Sequence, residues 1–92
     1  MEQKSYTTPL GVIKYWVNIV DRNIPTLVFL PGLTVDHRLF EKQIEYFEGK
    51  YNVFVWDAPG HAESWPFKFE FSLIDKATWL YEILQVEQIT KP

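Results

Sequence analysis

Cysteine is absent from the 92-residue sequence, which excludes disulfide staples, thiolate zinc sites and a cysteine nucleophile together. Any nucleophile must therefore be an oxygen. Basic residues are few as well: 9 against 12 acidic, a net charge of -3, with the basic ones scattered along the chain. Binding to nucleic acid draws most of its affinity from Lys and Arg on phosphates, so that class is excluded. Long apolar runs are missing: none approaches the roughly 20 residues of a membrane-spanning helix, and Met1 to Thr8 lacks the apolar stretch of a signal peptide. A soluble, cytoplasmic protein with no membrane contact is expected. What is present is core-forming material, 47% hydrophobic and 17% aromatic residues, too rich for intrinsic disorder. The length leaves room for one domain or part of one.

Glu2 to Thr8 and Val12 to Asn18 have the β-branched and aromatic content of strands and flank Pro9-Leu10-Gly11, which reads as a hairpin. Residues 20–25 read as a turn into Thr26-Leu27-Val28-Phe29-Leu30, an uninterrupted apolar run expected of a strand covered on both faces. After Pro31-Gly32-Leu33-Thr34 the period changes, with Phe40, Ile44 and Phe47 at i, i+4 and i+7. That spacing predicts an amphipathic helix, with Asp36 or Thr34 as N-cap and Gly49 as its stop. Tyr51 to Trp56 is again strand-like, so strand, helix and strand form a βαβ unit with a right-handed crossover. Ser72 and Asp75 suggest a capping box. Leu73, Ala77, Leu80 and Leu84 then mark the expected buried stripe of a second helix. The fold class expected is α/β: a hairpin, a βαβ unit and a second helix.

Ligands of open parallel sheets bind beyond the carboxyl ends of the strands, where two Gly-containing loops occur here, Pro31-Gly32-Leu33-Thr34 and Asp57-Ala58-Pro59-Gly60-His61. Neither carries a Walker A or G-x-G-x-x-G pattern, so nucleotide binding has no support. Asp57, His61 and Ser64 invite a local triad, but triads are defined by three-dimensional roles, and turn-forming duty is the better reading. The same holds for Asp57, His61 and Glu63 as metal ligands. His37 is expected at a helix start, in solvent. Trp65, Phe67, Phe69 and Phe71 either line a substrate entrance or pack a long loop on the sheet.

The strand Thr26 to Leu30 followed by Pro31-Gly32, and the stretch Asp57-Ala58-Pro59-Gly60-His61-Ala62-Glu63-Ser64, resemble the N-terminal part of the α/β-hydrolase family. The second stretch is similar to the family's Asp-x-Pro-Gly-His-Gly-x-Ser, with Ala62 at a usual Gly, and Pro31 stands where a His is common. Order and spacing of elements agree over nearly the whole chain. The resemblance implies that residues 1–92 are the N-terminal fragment of a single hydrolase domain, truncated before the nucleophile strand. It implies a serine-type hydrolase acting on a small ester, amide or related acyl substrate, with no metal or organic cofactor. The family's serine sits on a G-x-S-x-G elbow after the next strand, with acid and histidine later. The only serines here are Ser5, Ser64 and Ser72, none so framed. What remains for this chain is an oxyanion donor: the backbone N–H of Leu33, with Gly32 permitting close approach of substrate.

The isolated chain is therefore expected to be inactive. In the resembled fold Thr26 to Leu30 is a central strand, so truncation bares one of its edges, and self-association or pairing with the missing C-terminal part is expected. The alternative function is a non-enzymatic α/β module that binds a protein partner through that open edge.

Overall fold

The computed structural model describes residues 1–30, 37–60, 64–65, 67–68 and 71–89. Gly32 and Leu33, the proposed caps Thr34 and Asp36, and Pro31, His61, Ala62, Glu63 and Phe69 lie outside the described residues.

The first two strands, β1 (Glu2–Thr8) and β2 (Gly11–Asn18), form the expected antiparallel hairpin, in register from Glu2 opposite Val17 to Thr8 opposite Gly11. Its turn is closed by Thr8. The hydroxyl accepts from the Leu10 and Gly11 N–H groups at 3.2 and 3.1 Å and donates to the Gly11 carbonyl at 2.8 Å. Alternate residues of β2, Ile13, Tyr15 and Val17, are buried, as the period of a strand requires.

Two further strands, β3 (Thr26–Phe29) and β4 (Asn52–Trp56), pair in parallel, and β2 joins the other side of β4 antiparallel, giving the order β1-β2-β4-β3. The burial expected of Thr26–Leu30 belongs to β4 instead. Every residue of β4 is buried, whereas Leu27, Val28 and Phe29 are half-buried because β3 is the sheet edge. Asn52 fixes the connection into β3. Its Oδ1 accepts from Val20 and Asp21 N–H at 2.7 and 3.1 Å, and its Nδ2 donates to the Asp21 and Ile24 carbonyls at 2.8 and 3.2 Å. All four hydrogen-bonding positions of the buried amide are thereby used.

A 3-10 turn, His37–Phe40, leads into helix α1 (Glu41–Phe47). The α-helix thus begins later than expected, with Phe40 at the N-cap and no side-chain capping bond. The expected stripe is real: Ile44 is buried against Val53 and Val55, with Phe40 and Phe47 beside it. Gly49, at φ 93°, ends the helix in the left-handed region that glycine tolerates.

Helix α2 (Leu73–Val86) starts at the expected capping box: Ser72 Oγ accepts from Asp75 N–H at 3.1 Å, and Ser72 N–H donates to Asp75 Oδ2 at 2.9 Å. Its buried face differs from expectation. Leu73 is 80% exposed and Ala77 is exposed, while Ile83 is fully buried and Trp79, Leu80 and Leu84 pack around it. The helix ends in a Schellman motif. Ile89 N–H donates to the Leu84 carbonyl at 2.8 Å and Gln88 N–H to that of Gln85 at 3.0 Å, with Gln88 at φ 60°.

At that end Glu87 is buried. Tyr15 Oη donates to its Oε2 at 2.6 Å, Lys4 Nζ to its Oε1 at 3.0 Å, and Arg22 Nη1 to its backbone carbonyl at 2.5 Å. One residue thus ties the helix end to β1, β2 and the connection into β3. Burial first, then the hydrogen bond and charge of Glu87, push the Tyr15 hydroxyl well above its ordinary pKa. No helix among the described residues is long and apolar enough to cross a membrane.

Candidate functional site

The two helices sit on opposite faces of the sheet. Ile83 of α2 joins Tyr15, Val17, Phe54 and Trp56, with Val28 packed against them. Ile44 of α1 joins Val53 and Val55, with Trp16, Leu27 and Phe29. Adjacent parallel strands whose following helices go to opposite faces define a crevice beyond their carboxyl ends. The segment after β3, which carries Gly32 and Leu33, and the segment after β4 both leave the sheet there.

The second segment is built to hold a shape. Asp57, Ala58, Pro59 and Gly60 are all buried, and Gly60 takes φ 84°. Asp57 N–H extends the ladder to the Lys14 carbonyl at 3.0 Å. Ser64 then closes the loop: its Oγ accepts from Lys14 N–H at 2.8 Å and donates to the Asp57 carbonyl at 2.7 Å, and its carbonyl accepts from Gly60 N–H at 3.1 Å. A fully buried hydroxyl whose proton is given to a backbone carbonyl is not poised to attack a substrate. Ser64 is a structural residue. His61 and Glu63, needed for the local triad and for the metal set, lie outside the described residues.

The aromatic stretch divides. Phe67 is buried, with ring centroids 5.5 Å from both Phe71 and Trp79, and Phe71 is 5.3 Å from Trp79. These rings pack the return of the chain over the hairpin turn, where Gly11 bridges Phe67 and Lys68 N–H donates to the Leu10 carbonyl at 2.9 Å. Trp65 is 60% exposed. Asn52 and Glu87 escaped the sequence reading, because their partners lie up to 83 positions away and no local spacing marks them. A cleft of about 280 Å³ between β2, β4 and α1, lined by Trp16, Arg38, Glu41, Ile44, Glu45 and Val55, contains none of the expected site residues.

No protein-family model matches the chain, and no curated protein matches it. Among solved structures, a protein from Acinetobacter baumannii AYE described as a putative lipase superposes with a TM-score of 0.74 at 22% sequence identity, over 97% of this chain. The chain spans about 30% of the length of that neighbour. The likeness is one of fold: an α/β arrangement of the kind found in a lipase.

Proposed function

We propose that this chain supplies the N-terminal part of a serine-type α/β hydrolase, a cytoplasmic enzyme acting on a small ester, amide or related acyl substrate. The observation that carries the reading is the parallel β3–β4 pair with α1 and α2 on opposite faces, an arrangement that superposes on a lipase-like chain more than three times as long. In this reading the segment after β3 meets the substrate. Leu33 N–H stabilises the developing oxyanion, and Gly32 leaves room for the acyl group. The nucleophile, base and acid come from polypeptide beyond Pro92.

The 92 residues alone do not turn over. Ser64 Oγ is committed to backbone, Ser72 Oγ caps α2, and Ser5 stands within β1 opposite Lys14. A serine-reactive phosphonate is therefore expected to leave the chain unlabelled, and stoichiometric labelling of Ser64 would overturn the reading. In an enzyme extended through the nucleophile strand, Leu33→Ala keeps the donor and alters rate little, whereas Leu33→Pro removes the N–H and raises the barrier by about 2.7–4 kcal/mol. Equal losses in two variants that both fold would argue against the oxyanion role. Among the described residues no strand lies beyond β3, which favours a second reading, a partner-binding module without activity. Nucleotides after codon 92 separate the two: a strand followed by G-x-S-x-G supports the enzyme.

A further inference from the structure

The two edges of the sheet are unlike. β1 carries Glu2 and Lys4 among polar residues, the charged pattern that discourages pairing with another chain. β3 is Thr-Leu-Val-Phe, with no charge, proline or bulge, and among the described residues it pairs with β4 alone.

Helix α2 is asymmetric in the same sense. Glu82 faces Tyr6 of β1, and Trp79 packs on Phe67, which crosses the hairpin turn at Gly11. Those two positions mark the flank turned toward β1. At about 100° per residue, Leu73, Ile74, Ala77 and Tyr81 fall on the opposite flank, the one turned toward β3. Leu73, Ile74 and Tyr81 are 80%, 77% and 63% exposed. Asp75 and Glu82 lie on the β1 side, so the apolar stripe is free of charge. The bare strand edge and the bare stripe therefore open to the same side.

We infer that this side of the 92-residue chain is an interface with a second copy, formed by antiparallel pairing of two β3 edges about a two-fold axis normal to the sheet. Rotation about that normal keeps each sheet face on its own side. The operation that pairs the strands thus also lays the two α2 helices on one face, with their stripes opposed. A two-fold axis in the sheet plane, parallel to the strands, would put the helices on opposite faces and leave both stripes bare. Leu73, Ile74 and Tyr81 at their exposures offer roughly 400 Å² of apolar surface, half of the roughly 800 Å² per partner in a standard interface, before the strands are counted. The interface belongs to the 92 residues by themselves: in the hydrolase reading the nucleophile strand takes the same edge of β3, so the two occupants exclude each other.

Sedimentation velocity of the 92-residue chain at micromolar concentration is expected to show a closed dimer. Ile74→Glu with Tyr81→Glu, at exposed positions, should weaken it at least tenfold with the far-ultraviolet dichroism retained, while Glu2→Lys on β1 leaves it unchanged. The chain has no native cysteine, so Ala77→Cys gives a single thiol, which a bis-maleimide should join across the axis. Cysteine in place of Glu2 should not cross-link. A monomer throughout the range, open-ended association, a dimer indifferent to Tyr81→Glu, or cross-linking only through position 2 would each overturn the inference.

Discussion

Replacing Glu87 by alanine strips the only side chain that joins α2 to both hairpin strands at once among the bonds described above. Two interactions are lost. The Tyr15 Oη to Glu87 Oε2 bond, at 2.6 Å and buried, belongs to the class of hydrogen bonds to charged groups, worth about 1.5–3 kcal/mol. The Lys4 pair, at 3.0 Å with Lys4 36% exposed, is screened by water and contributes at most about 1 kcal/mol. A carboxylate at a helix carboxyl terminus opposes the macrodipole, which returns about 0.3–1 kcal/mol on its removal. The Arg22 bond goes to the backbone carbonyl and survives. The expected net loss is about 1–3 kcal/mol, a large share of the roughly 5–14 kcal/mol that a chain of this size commands. Urea denaturation followed by tryptophan fluorescence, at one fixed protein concentration because association shifts the midpoint, should show the midpoint falling by about 1–2 M. Tyr15→Phe should cost less, since Lys4 still holds Glu87, and the double-mutant cycle should show a coupling of about 1.5 kcal/mol or more. A loss below about 0.5 kcal/mol for Glu87→Ala, or no coupling, would refute the account.

The Tyr15 hydroxyl titrates above its ordinary value of 10.0, so its stabilising contribution is complete below pH 10 and lost as pH rises beyond it. Absorbance titration should show at least one of the five tyrosines held protonated until the chain unfolds, and all five ionising together near pH 10 with native dichroism would contradict this. Gly11→Ala places a Cβ 2.6 Å from Phe67 Cδ2 and 3.1 Å from its Cα, so about 1–3 kcal/mol should be lost in thermal unfolding; an unchanged melting temperature would mean the return segment shifts freely. Gln88→Gly relieves a left-handed residue at the end of α2 and should stabilise by about 1 kcal/mol in the same assay.

Local chemistry made much of this fold legible. Thr8 and Gly11 bound a hairpin, Ser72 and Asp75 start a helix, and Gly49 stops one, because each acts within a few residues of itself. The face of α2 was not legible. Its apolar residues run most of the way round, so spacing alone admits both the Leu73–Ala77–Leu80–Leu84 stripe and the one actually centred on Ile83. Distant contacts decide between them: Glu82 with Tyr6, Trp79 with Phe67 and Glu87 with Tyr15 set the rotation of the helix. The start of α1 was misplaced because the helical pattern of Phe40, Ile44 and Phe47 does not distinguish a 3-10 turn from the α-helix it leads into. Of the candidate site, the Asp57–Ser64 loop could be read as structural from the resemblance. The oxyanion segment with Gly32 and Leu33 lies outside the described residues.

The Glu87 contacts also set an order of events in time. Lys4 and Glu87 stand 83 positions apart, so their encounter closes a long loop, at an entropic cost that more local pairings such as β1 with β2 do not bear. A hairpin that forms within microseconds waits for a partner 83 positions further along the chain. Contacts of this kind are expected to be absent from the folding transition state. Glu87→Ala should therefore leave the refolding rate nearly unchanged and carry almost all of its effect in faster unfolding. The Glu87 carboxylate then acts as a latch on residence time in the native state rather than as a guide to reaching it.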